Sequence, residues 1–167
     1  MFIQIKNLTK KFKNNLAVNN INFSIEKNKV LGLLGPNGCG KTTSIGMMLG
    51  LIKPTSGQII IDNKNLESFK RNDILARINF ASPYIELPKK LTVRQNLEVY
   101  GRLYGIKNRK ERIEEISEDL DIKDFFDRQT GELSSGQKNR VSLAKSLINK
   151  PEILLLDDHK PRTPKNQ

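Results

Sequence analysis

LGLLGPNGCGKTT, residues 31–43, is the stretch that decides the fold. It begins in an apolar run, Val30–Leu34, which predicts a fully buried strand. After a glycine-rich turn, the sequence predicts a helix from Lys41 to about Leu51, which ends at the turn-forming residues KPTSG. A buried strand, a glycine-rich turn and a helix in immediate succession are typical of α/β proteins.

The turn has the pattern Gly-x4-Gly-Lys-Thr of a phosphate-binding P-loop. Its glycines permit torsions that point successive N–H groups at an anion, and the helix N-terminus adds partial positive charge. Lys41 is predicted to reach the β- and γ-phosphates, and Thr42 to bind Mg²⁺. A purely structural glycine turn is the alternative, and the strand-to-helix context argues against it. The predicted nucleotide-binding residues here are Gly35, Pro36, Asn37, Gly38, Cys39, Gly40, Lys41, Thr42 and Thr43.

A second apolar run, ILLLDD at residues 153–158, ends in two carboxylates. P-loop sites need a carboxylate at the end of a neighbouring strand to hold Mg²⁺. Asp157 is predicted to fill that role together with Thr42, and Asp158 is predicted to lie beside the γ-phosphate. An apolar run that ends in Asp is a weak signal alone, and the P-loop makes it a strong one.

The stretch GELSSGQKNR, residues 131–140, precedes a predicted helix. It groups hydroxyls and backbone N–H groups at a helix N-terminus, which is a second anion-binding device. The residues concerned are Ser134, Ser135, Gly136 and Gln137. An ordinary serine N-cap would account for one of the serines but not for the whole stretch. Two phosphate-binding ends suggest two nucleotides, or one nucleotide held between two copies.

The remaining patterns complete an α/β plan with a mostly parallel sheet. Residues 1–12, 21–25 and 57–63 read as strands, and about Thr92 to Lys150 is helical. One helical face is predicted to carry Ile113, Ile116 and Leu120. Another is predicted to carry Leu143, Ala144, Leu147 and Ile148.

The composition restricts the setting of the protein. The formal net charge of +11 over 167 residues invites a polyanionic partner, although scattered lysines are equally consistent with lysine-rich composition alone. Cys39 is the only cysteine, which excludes an intrachain disulfide and favours a reducing compartment. The first residues lack a secretory signal, and no apolar run approaches the ~18 residues of a membrane span. We therefore expect a cytoplasmic protein, or the cytoplasmic face of a larger assembly.

Residues 1–158 resemble the ATP-binding domain of ABC transporters. The resemblance is carried by three stretches in this order, GPNGCGKTT, LSSGQKNR and ILLLDD. The middle stretch is similar to that family's LSGGQ signature. The resemblance implies ATP and Mg²⁺ as cofactors, and at Phe12 an aromatic ring that stacks on adenine. It also implies a second ATP-binding domain as partner, in a homo- or heterodimer that sandwiches two ATP molecules. A membrane-spanning transporter subunit is the other implied partner, and through it the protein would be peripheral on the cytoplasmic face of the membrane. LTVRQNLEVYGRLYG, residues 91–105, resembles the subclass that serves export.

The implied fold is a P-loop NTPase ABC-type ATP-binding domain with a helical subdomain, lacking the C-terminal part of the core. The core would comprise residues 1–81 and 141–158, and the helical subdomain about 88–140. Residues 159–167 do not resemble the family and are predicted to be a disordered tail. A C-terminally truncated product is expected, since the family's D-loop and switch histidine would follow Asp158; His159 is interpreted as a tail residue.

Two further departures weaken the expectation of hydrolysis. Ser82 and Pro83 stand where the family's Q-loop glutamine is expected. Asp158 replaces the catalytic glutamate and is one methylene shorter, although a general base must lie within about 3 Å of the attacking water. The favoured function is an ATP-binding subunit that drives export. The alternatives are a truncated non-catalytic remnant and, less favoured, a soluble relative acting on nucleic acid or ribosomes.

Overall fold

The computed structural model describes residues 1–82 and 87–157, which form two compact units divided between Ile78 and Asn79. In chain order the elements of the first unit are β1 (Ile3–Phe12), β2 (Asn15–Ile25), α1 (Lys41–Met48), β3 (Ser56–Ile61), β4 (Lys64–Asn65) and α2 (Arg71–Leu75). There follow β5 (Ile78–Ala81), α3 (Val93–Leu103), α4 (Arg109–Asp119), α5 (Ser135–Leu147) and β6 (Ile153–Leu156). Short 3₁₀ turns lie at Lys123–Phe125 and Thr130–Glu132.

The first unit is built on an antiparallel sheet in the order β2-β1-β3-β4. Apolar residues alternate along β1, so that Ile3 and Ile5 lie on its buried face, opposite Ile61 and Ile59 of β3. Three of the four strands predicted in this part of the chain are confirmed as β1, β2 and β3, although β2 begins six residues before the predicted residue 21. Helix α1 begins at Lys41 as predicted and ends at Met48, three residues earlier than predicted.

The predicted buried strand Val30–Leu34 is wrong. This segment has no regular secondary structure, and Val30 and Leu34 are almost completely exposed. An entirely apolar strand is stable only between hydrogen-bonded neighbours with both faces covered. Within the described ranges no strand pairs with this segment. The prediction of a mostly parallel sheet is also wrong for the first unit, because its sheet is antiparallel throughout.

The second unit packs α3, α4 and α5 around one apolar core. The predicted helical stretch is confirmed as these three helices, and both predicted faces contribute to the core. Ile113 and Ile116 are buried there with Ala144 and Ile148, and Leu120 packs at the edge. Strand β6 pairs with β5 and confirms the strand predicted before Asp157, although only its first residue is fully buried.

No helix within residues 1–82 and 87–157 has the length and apolar character needed to cross a membrane.

Candidate functional site

The P-loop of the first unit runs from Gly35 to Gly40 with three residues in positive-φ conformations. The φ angles are +154° at Gly35, +85° at Gly38 and +95° at Gly40. Residues other than glycine rarely adopt these φ angles. The amide of Cys39 donates to the Pro36 carbonyl at 3.3 Å and closes a turn inside the loop. The glycine spacing read from the sequence therefore corresponds to a backbone requirement.

Lys41 closes the loop on itself. Its Nζ donates to the carbonyl oxygens of Gly35 at 2.6 Å and Pro36 at 3.0 Å, and lies 3.8 Å from the exposed Sγ of Cys39. Thr42 and Thr43 lie in the first turn of α1, which contains no acidic residue. An ammonium group and a helix N-terminus without a nearby carboxylate together favour an anion.

Phe12, at the end of β1, has a half-exposed ring, with Lys10 Nζ 4.8 Å from the ring centroid. Phe12 pairs with Asn15 on β2. Asn15 lies two residues before Ala17, which is about 7 Å along the strand. The Ala17 carbonyl lies close to Gly40: a Cβ atom added to Gly40 would lie 2.3 Å from the Ala17 carbonyl oxygen. The hairpin that carries Phe12 therefore packs beside the P-loop.

Ser134 is the N-cap of α5 in the second unit. Its Oγ accepts from the Gln137 amide at 3.3 Å, and Gln137 Oε1 accepts from the Ser134 amide at 3.0 Å. This reciprocal capping box was missed from the sequence, although the spacing Ser-x-x-Gln signals it. It gives Ser134 and Gln137 a structural role. Ser135 and Gly136 are exposed, and a Cβ on Gly136 would meet nothing within 4 Å.

Arg112 was also missed. Its guanidinium donates to the carbonyls of Leu147 at 2.6 Å and Ile148 at 3.0 Å, which caps the C-terminus of α5. A hydrogen bond from Arg112 also lowers the pKa of Glu115 below its usual value. Arg112 thus ties α4 to the C-terminal end of α5, the helix whose N-cap is Ser134. No sequence pattern marks such a long-range cap.

Asp157 directly follows β6, and its amide donates to the Ala81 carbonyl at 3.1 Å. It belongs to the second unit, whereas the P-loop belongs to the first. Ser82 is buried, and its carbonyl accepts from Ser142 Oγ at 3.4 Å. Pro83 and the predicted catalytic Asp158 lie outside the described residues, as do His159 and the rest of the predicted tail.

The donor set fits a magnesium–nucleotide better than a bare metal ion. Among residues 1–82 and 87–157, no cluster of three His, Cys, Asp or Glu side chains could hold a cation by itself. Mg²⁺ commonly takes one or two protein oxygens and completes its shell with phosphate oxygens and water. In the first unit, Thr42 at the start of α1 carries a hydroxyl oxygen of this kind.

Comparison with known proteins gives a consistent result. A sequence model described as ABC transporter matches residues 18–160. The chain is 39% identical over 156 residues, 93% of its length, to a zinc import ATP-binding protein of Rickettsia conorii, and spans 61% of that relative. It is 35% identical over 158 residues, again 93% of its length, to a Nod factor export ATP-binding protein of Burkholderia lata, and spans 52% of it. Among solved structures, cbiO1 of Clostridium perfringens superposes with a TM-score of 0.81 at 29% identity, covering 93% of this chain and 64% of that one. The chain thus spans between half and two thirds of these relatives.

Proposed function

The chain belongs to the ABC transporter family, and from that premise we propose that it binds ATP with Mg²⁺ and couples ATP to transport through a separate membrane subunit. The observation that carries the proposal is Lys41, whose ammonium folds onto the carbonyls of Gly35 and Pro36 in a loop of positive-φ glycines. An anion that replaces these carbonyls would meet a charged donor and a helix N-terminus at once.

The P-loop residues 35–43 would hold the phosphates, and Thr42 with Asp157 would hold the metal. When bound, Mg²⁺ neutralises charge on the phosphate oxygens. The exposed ring of Phe12 offers an apolar face to adenine, because the hairpin that bears it packs beside the loop. Asp158 follows Asp157 in the sequence, where the family's catalytic glutamate is expected, and is the proposed general base.

A second ATP-binding domain, in a homo- or heterodimer, is the proposed partner at the N-terminus of α5. The capping box occupies Ser134 and Gln137 within the chain, while Ser135 and Gly136 leave an open surface. This surface supports approach by the phosphates of a nucleotide bound to the other copy. Nucleic acid is not the proposed partner, since the lysines and arginines are scattered along the sequence.

We place the protein on the cytoplasmic face of the membrane and propose export as the direction. The resemblance of residues 91–105 to export-type members supports that direction, as does the Nod factor export relative. The zinc import relative is somewhat more similar, at 39% identity against 35%, so transport assays with the membrane subunit must decide.

A non-catalytic role is the second candidate, favoured by Asp158 in place of the family's catalytic glutamate. Comparison of ATP turnover in the natural chain and in Asp158→Glu tests it. A rise of tenfold or more in Asp158→Glu would favour binding without turnover in the natural chain. Equal, measurable turnover would favour a working carboxylate at Asp158.

The nucleotide assignment is tested with Lys41→Ala, and with Lys6→Ala as an exposed control on β1. Charge-assisted hydrogen bonds contribute about 1.5–3 kcal/mol each, so Lys41→Ala should weaken ATP binding by at least about tenfold. Lys6→Ala should bind as the natural chain does. Titration with a fluorescent ATP analogue measures both. Unchanged affinity in Lys41→Ala would contradict the assignment.

A further inference from the structure

The segment 88–92 is fastened to the segment 129–131, and we call this pair of segments the strap. The amide of Thr130 donates to the Leu91 carbonyl at 3.0 Å, and that of Gly131 to the Lys89 carbonyl at 3.0 Å. An isolated antiparallel bridge joins Thr92 to Gln129. Backbone pairing therefore joins two segments that are some forty residues apart in the chain.

The side chain of Thr130 adds to this pairing. Thr130 is 4% exposed, and its Oγ1 donates to the Pro88 carbonyl at 2.8 Å and reaches that of Leu91 at 3.4 Å. Asn96 Nδ2 donates to the same two carbonyls, each at 3.3 Å. The hydroxyl of Thr130 is thus a buried donor that acts between the two segments.

Gly131 permits the close approach of the two segments. A Cβ atom on Gly131 would lie 3.2 Å from the Lys89 carbonyl oxygen and 3.3 Å from Lys89 Cβ. Larger side chains would hold the segments apart. The strap thus depends on a small residue at 131 and a hydroxyl at 130.

The strap ends immediately before the functional surface of α5. Only Glu132 and the buried Leu133 separate it from the N-cap Ser134. We propose that Thr130 is a positioning residue, which sets the orientation of Ser134–Gly136 by fastening the segment 129–131 to the segment 88–92. This inference rests on the proposed function, because it assigns the strap to the surface that would meet a nucleotide on another copy.

The test compares three variants of the full chain by amide hydrogen exchange. Thr130→Val removes the hydroxyl and keeps the branched shape of the side chain. Thr130→Ser keeps the hydroxyl and removes the methyl group. Ser117→Ala is the matched control, since Ser117 is fully buried in α4 and donates one hydrogen bond, to the Glu114 carbonyl. We expect Thr130→Val to raise exchange at the Gln137 and Lys138 amides at least tenfold, and the other two variants to change it less than threefold.

Equal exchange in Thr130→Val and Ser117→Ala would overturn the proposal, since the effect would then be general loss of stability. If Thr130→Val fails to fold, Gly131→Ala serves in its place, because its methyl group presses on Lys89. The proposal would also be overturned if Thr130→Ser, which keeps the hydroxyl, exchanged as fast as Thr130→Val.

A nucleotide measurement separates this proposal from the proposed function. Affinity for a fluorescent ATP analogue should stay within twofold in all variants, because residues 35–43 are unchanged. ATP-dependent self-association should weaken at least fivefold in Thr130→Val alone. A natural chain that binds no ATP would contradict the proposed function, while the exchange data would still decide whether the strap positions α5.

Discussion

Gly40 lies against Ala17 so closely that a Cβ atom on Gly40 would stand 2.3 Å from the Ala17 carbonyl oxygen. The same atom would lie 3.0 Å from Cγ2 of Val18, and the φ angle of Gly40 is +95°. The contact and the torsion both exclude a side chain. Packing of strand β2 on the P-loop therefore makes glycine at this position a tertiary requirement as well as a local one.

The first prediction concerns this contact. Gly40→Ala should lower the free energy of unfolding by about 1–3 kcal/mol, because it forces a strained torsion and a displacement of the backbone. It should also lose ATP affinity. Gly32→Ala is the matched control, since a Cβ there meets nothing within 4 Å. Denaturant unfolding and nucleotide titration of both variants check the prediction, and equal stabilities would contradict the close packing.

The second prediction concerns the thiol of Cys39. The Sγ atom is exposed and lies 3.8 Å from Lys41 Nζ, so a bulky adduct there would occupy the space above the loop. We expect a maleimide to block nucleotide binding and ATP to slow the labelling at least fivefold. Cys39→Ser should bind ATP equally well before and after maleimide treatment. Labelling at the same rate with and without ATP would place Cys39 outside the nucleotide site.

The third prediction separates stability from association at the start of α5. Ser134→Ala removes the capping bond to Gln137 and should cost about 1 kcal/mol of stability. Gly136→Ala meets no atom and removes a flexible residue from a helix, so stability should stay equal or rise by up to about 1 kcal/mol.

The same Gly136→Ala variant should nevertheless weaken ATP-dependent self-association, because its methyl group occupies the open surface. Thermal unfolding and sedimentation with ATP measure the two properties. Association as strong as that of the natural chain would indicate that this surface does not face a partner.

The fourth prediction concerns pH. A hydrogen bond from Arg94, at 2.9 Å, lowers the pKa of Asp127 below its usual value. A carboxyl whose folded-state pKa is depressed contributes stability above its unfolded pKa of about 3.9, and that contribution is lost as the pH falls through the folded pKa. In Asp127→Asn the free energy of unfolding should therefore fall less steeply than in the natural chain as the pH drops below about 4.

Urea unfolding between pH 2 and 7 measures the effect, and Asp124→Asn is the control that leaves the Arg94 ion pair intact. Both side chains of the pair are largely exposed, at 56% and 77%. The effect should therefore shrink in 1 M salt. Identical acid limbs in the natural chain and in Asp127→Asn would show that the pair contributes nothing to stability.

Several features of the site could be predicted from the sequence because they depend on local geometry. The P-loop glycines adopt positive φ angles, and α1 begins at Lys41, as the spacing indicated. The helical faces around Ile113 and Ala144 are buried, since a period of 3.6 residues marks one side of a helix whatever it packs against. The Ser134–Gln137 capping box was equally readable from its spacing and was missed.

By itself the sequence indicated β1, β2 and β3, the P-loop, α1 and the helical stretch that contains α3, α4 and α5, since each depends on residues within a few positions of one another. Only the tertiary structure decided which segments find partners over long distances. Val30–Leu34 has the composition of a buried strand but no strand pairs with it in the described part of the chain, because ladder bonds need a neighbouring backbone. Thr130 has an unremarkable sequence context, yet it meets Pro88 across 42 positions, because folding places two loops side by side.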